Sequence, residues 1–156
     1  MKWIDGSNID IKKYSGEDLC ERIADDMSYI NQQYWSDCPN FIQTAMYIID
    51  FDTVLNMEGF PVPYYGYFTS EYYAKIVDSF RLIGDDKDFD ILSKAGNIDA
   101  KYSKLLSEAK GSKNWDTLYD EFSKELDELE SELYSNRDFD LWSLLYEYLD
   151  VQIRLI

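Results

Sequence analysis

The side chains in this sequence that could do chemistry are overwhelmingly carboxylates, and their densest run is Asn114 to Tyr134, NWDTLYDEFSKELDELESELY. A carboxylate can serve as a general acid or base, ligate a cation, or present negative charge to a partner. The first two roles need converging partners, whereas the third needs only an ordered array. On a helical wheel, Asp116, Asp120, Asp127 and Glu130 fall on one flank of an apolar stripe, and Glu121, Glu125, Glu128 and Glu132 fall on the other. Neighbours within each rail stand about 5–6 Å apart, comparable to the spacing of phosphates along a nucleic-acid strand. Only Lys124 lies between the rails. These eight acids are the expected partner-binding set.

Other chemistry finds little support. The sequence has no histidine, which removes Ser-His and Cys-His nucleophiles, imidazole bases and His-ligated metals. Cys20 and Cys38 are too few and too far apart for a metal motif, and two free thiols are expected. Asp50 and Asp52 have no His, Cys or Arg beside them, so they read as a solvent-facing edge rather than a catalytic pair. Asp86, Asp88 and Asp90 alternate like a calcium loop, but Ile91 stands where Gly is needed and Asn97 where Glu is needed. Caps and first-turn acids explain that run instead. No catalytic residue, metal or cofactor is expected, and the chain reads as a non-enzyme.

The elements that must hold the rails follow from periodicity. Trp115, Leu118, Tyr119, Phe122, Leu126, Leu129 and Leu133 recur at three-and-four spacing, which predicts one long helix capped by Asn114. Upstream, Leu19, Ile23, Met27, Ile30 and Tyr34 predict a first helix from Glu17 to about Tyr34, behind an arm formed by residues 1–16. Its outer side carries a second acidic surface of Asp18, Glu21, Asp25 and Asp26. A second helix opens at Pro39 and is apolar over most of its circumference. Residues Asn56 to Phe68 then read as one long Pro/Gly loop with five aromatics, either a recognition surface or a cover for the core. A third helix, capped by Thr69 or Ser70, ends at Gly84. A fourth ends at Gly96, and a fifth runs near Asp99 to Lys110. The last helix, capped by Asp138, is hydrophobic almost all round and could bury a face in a second copy, so a homodimer is possible. No strand run appears, and the expectation is an all-α single domain, residues 1–156, of about seven helices.

Composition narrows the partners. Over 156 residues there are 31 acids against 15 bases, a formal net charge of -16. Such a chain has no basic patch with which to displace counterions from DNA, RNA or an anionic membrane, so its partners should be basic proteins. At 46% hydrophobic and 17% aromatic it can bury a core, and it is no disordered acidic tail. It has no run of apolar residues long enough to span a membrane and no signal-like start, which fits a cytoplasmic protein.

Phe51-Asp52, Asn56, Gly59-Phe60, Tyr67-Phe68, Leu82-Ile83-Gly84, and Leu92 with Ala95 form a pattern. It resembles that of the DMP-type DNA-mimic proteins, small acidic all-α bacterial proteins mostly of unknown function. Met57-Glu58 replaces a single Gly of the family pattern, and Pro61-Val62-Pro63 is inserted. The resemblance implies surface carboxylates that stand in for phosphates and occupy the DNA-binding face of a transcription regulator. Two other readings stand beside it: an immunity or antitoxin-type inhibitor of a nuclease toxin, and a structural module whose acidity serves only solubility.

Overall fold

The computed structural model describes residues 1–60 and 66–156. The described residues form six α-helices: α1 (Gly16–Asp26), α2 (Asn40–Glu58), α3 (Glu71–Leu82), α4 (Asp86–Glu108), α5 (Trp115–Glu130) and α6 (Leu141–Arg154). Short 3-10 helices lie in the N-terminal arm and in the α1–α2, α2–α3 and α5–α6 connections, and the fold is all-α. Among the described residues the only extended pairing is one isolated bridge, Lys2 with Asn8, inside the N-terminal arm.

α2 is the centre because its sequence is apolar over most of its circumference. Ile42, Ala45, Met46, Ile48 and Phe51 are essentially inaccessible, and α1, α3 and α6 pack around it. α4 lies against α3 on one side and α5 on the other, so the acidic helix is the outermost layer of that edge. One contiguous core runs from Trp3 to Ile153. The arm joins it through Trp3 and Ile11, both buried.

Side-chain caps set the helix starts. Ser15, Ser70, Asp85 and Asp140 each accept a hydrogen bond from the backbone N–H three residues on, for α1, α3, α4 and α6. Gly84, at φ +88°, ends the third helix in the left-handed conformation that its position predicts.

Several boundaries differ from the periodicity. The first helix stops at Asp26, not near Tyr34, because Ile30 is extended and Asn31 caps a separate 3-10 turn, leaving Tyr34 exposed. Residues 56–58 belong to α2 rather than to the loop. Gly96 does not end a helix: α4 runs through it to Glu108, and the glycine is there for space, since a Cβ would lie 3.0 Å from the Phe68 carbonyl oxygen. Asn114 is itself helical and makes no side-chain cap. The last helix starts at Leu141, capped by Asp140 and not Asp138, and Phe139 is partly exposed beneath Arg137. Of the loop aromatics, Phe60 and Phe68 are buried and Tyr67 packs beside them, while Tyr64 and Tyr65 lie outside the described residues.

Candidate acidic partner surface

α5 buries Phe122, Leu126 and Leu129 against α4, with the Phe122 ring 5.5 Å from that of Tyr102. At its N-terminal end the stripe is shallower. Trp115 and Tyr119 stack with their rings 5.1 Å apart and inclined by 11°, both half-buried.

This orientation decides which carboxylates reach solvent. Asp116, Asp120, Glu121, Asp127 and Glu128 are exposed on the helix. Glu125 and Glu130 stand next to the stripe, four residues from Leu129 and Leu126 respectively, and are half-buried. One Glu125 oxygen lies 3.6 Å from Lys101 Nζ of α4 and accepts no hydrogen bond. Glu130 lies under Gly59, where a Cβ would come within 2.9 Å of its carboxylate. Burial raises the Glu130 carboxyl above its ordinary range, and the Asp127 charge adds to the rise. Glu132 is exposed but lies beyond the last turn, because the helix ends at Glu130 and Leu133 is extended. The two rails of the wheel are therefore five exposed helical acids, two acids turned inward, and one on the following turn.

The end of α5 is fixed by a buried ion pair that periodicity does not reveal. Asp88, wholly inaccessible, accepts from Arg137 at 2.8 and 3.0 Å and from the Tyr134 backbone N–H at 3.0 Å. That last bond draws the chain off its helical path after Glu130. The Tyr134 hydroxyl donates to Asp52 at 2.6 Å. Beside this pair Asp85 is also buried. One of its oxygens caps Asp88 N–H at 3.2 Å, and the other has no hydrogen-bond partner. Burial, and then the neighbouring Asp88 side chain, push the Asp85 carboxyl up to about 7, against the opposing effect of the bond from the Asp88 backbone N–H.

Asp50 and Asp52 are not a solvent edge. Both are half-buried, Asp50 accepting from the Tyr72 hydroxyl and Asp52 from Tyr134, so their partners are tyrosines from later helices and turns. The second acidic surface is likewise smaller than its spacing implies. Asp18, Glu21 and Asp25 are exposed, but Asp26 accepts from Trp3 Nε1 at 2.5 Å and from Arg22 at 3.0 Å and pins the arm to α1. Both cysteines are free, and burial pushes the Cys20 thiol up to about 12. Among the described residues no group of acids and cysteines is arranged to hold a metal ion, and no helix is long and apolar enough to cross a membrane.

The residues that carried the resemblance are structural. Phe51, Phe60, Phe68, Leu92 and Ala95 are core, and Gly59 and Gly84 take positive φ. Neither the curated proteins nor the solved structures give a significant match. The family model for DMP19-like proteins does match, over residues 36–152, from the turn before α2 into α6 and across the whole of the acidic helix. On that extent of match, this all-α chain belongs to the DMP19-like protein family.

Proposed function

We propose that the protein is a DNA mimic: an acidic binding module that occupies the DNA-binding surface of a basic protein such as a transcription regulator. The observation that carries this reading is the row of exposed carboxylates on α5, held on a helix whose other face is locked into the core of a DMP19-like fold. Asp116, Asp120, Glu121, Asp127 and Glu128 form the contact set, with Glu132 extending it beyond the last turn. Glu125 and Glu130 act by positioning, since each is tied to a neighbouring element. Asp18, Glu21 and Asp25 offer a second, smaller acidic surface on α1.

The mechanism is competition. Exposed charges raise the encounter rate with a basic surface, and their fixed placement on the helix selects which basic surfaces fit. No bond is made or broken, so the reading needs no catalytic group or cofactor. Inhibition of a nuclease toxin uses the same surface, and the identity of the captured protein separates the two. α5 packs on α4 whereas α6 packs on α1 and α2, so self-association through α6 leaves the acidic surface free.

The test is capture of host proteins on immobilised protein, with salt elution and competition by DNA. A DNA-binding partner that elutes late and is displaced by its own DNA is expected. Glu121→Lys/Glu128→Lys should weaken that capture by at least about tenfold while the thermal transition stays in place. Equal capture by the charge-reversed variant would remove α5 from the mechanism. A spread of basic proteins leaving at low salt would leave only non-specific acidity.

A further inference from the structure

α6 has two apolar faces, and the fold uses one. Leu141, Leu145, Leu149 and Ile153 are buried against the core. A second stripe, Leu144, Tyr148, Val151 and Leu155, recurs at four, three and four residues, the spacing of a helix seam that packs on another helix. Its members are half-buried to exposed, with Leu155 74% accessible. Leu144, Tyr148 and Val151, with Leu82 of α3, line an open groove of about 410 Å³, to which Ile83, Glu147 and Gln152 also contribute; Leu155 lies outside it.

The charges beside this stripe identify what fits it. α6 carries three further charged residues. Asp150 faces α1, where it accepts from the Gly16 backbone N–H at 2.6 Å. Glu147 and Arg154 lie seven residues apart on the same flank of the stripe, and among the described residues neither makes an ion pair. The face is thus neutral in a chain of net charge -16. The stripe is also symmetric about its midpoint: reversed end to end, Leu144 meets Leu155 and Tyr148 meets Val151. In that antiparallel register equivalent flanks face each other, so Glu147 of one copy falls within about 3 Å, along the axis, of the level of Arg154 in the other. Two-fold symmetry forms the ion pair twice.

We infer that the protein forms a two-fold dimer through antiparallel α6 helices, with Leu155 of each copy over the Leu82–Leu144 groove of the other and reciprocal Glu147–Arg154 pairs fixing the register. The inference does not depend on the DNA-mimic reading, since α5 lies outside the interface. The test is sedimentation equilibrium at low and physiological salt, with no partner present. Wild type is expected as a dimer. Glu147→Arg and Arg154→Glu alone should each weaken it by about tenfold, and together restore it. Tyr148→Glu should give a folded monomer. A wild-type monomer at about 100 μM, or single and double charge variants that associate alike, would overturn the inference.

Discussion

At the scale of residues, the acids of this protein divide by surroundings rather than by type. Asp88 is stabilised by a bidentate arginine and a backbone N–H, the arrangement that makes a buried carboxylate tolerable. Asp85 has no such partner for its second oxygen, and the rise in its pKa favours a proton there, which would give that oxygen a bond to donate to the Asp88 side chain. A raised carboxyl pKa means that the fold binds this proton more tightly than the unfolded chain does. Its stabilisation is complete below about pH 4 and is lost as pH rises through about 7, a term on the order of a few kcal/mol. Asp50 and Glu130, also raised, act in the same direction. Asp85→Asn can still accept from Asp88 N–H and donate to its carboxylate. Urea unfolding should therefore show wild type losing more stability than the variant between about pH 5 and about pH 8. Parallel pH profiles for the two would place the proton elsewhere.

At the scale of elements, the tightest glycine contact is the one between α1 and α6. A Cβ on Gly16 would sit 2.0 Å from the Tyr146 carbonyl oxygen, a backbone atom that cannot swing aside. Gly16→Ala should therefore separate the two helices and strain the bond from Gly16 N–H to Asp150, lowering stability by about 2 kcal/mol or more by denaturant titration, despite alanine's better helix propensity. An unchanged midpoint would show that α1 can slide along α6 without loss. Gly96 makes the same point about what a sequence reveals. The stop at Gly84 is written locally, as a left-handed residue after an amphipathic run. The glycine inside α4 answers to Phe68, twenty-eight residues earlier in the chain, and local reasoning takes it for a terminus. The caps divide in the same way. Ser70 is legible beside its helix, whereas the last helix is read from spacing as capped by Asp138 and is capped by Asp140, two residues on.

At the scale of the whole molecule, the all-α class and the outward face of the acidic helix were legible because both depend on periodicity and composition alone. Which rail members point inward was not, since that depends on Lys101 of α4 and on Gly59, just past the end of α2. The net charge has a consequence for folding as well as for binding. Like charges along α5 repel, and salt screens exposed charges over a Debye length of about 10 Å at 0.1 M. Thermal stability should rise between about 10 mM and about 300 mM sodium chloride, while capture of a basic partner weakens over the same range. A thermal midpoint that falls with salt would mean that the ion pairs outweigh the repulsion.

The clamp at Asp88 also gives the acidic helix a grain. Its far end is tied through Tyr134 and Arg137 to an inaccessible carboxylate, and its near end meets the body through half-buried Trp115, Leu118 and Tyr119 after the Gly111 turn. Backbone amide exchange should therefore be slowest near Leu129 and quicken toward Trp115, where the helix is held by half-buried contacts alone. A basic surface that grips Asp127 and Glu128 pulls against a firm seat. One that grips Asp116 and Asp120 meets a tip able to bend toward it, so a single row of charges offers a rigid gauge at one end and a compliant one at the other.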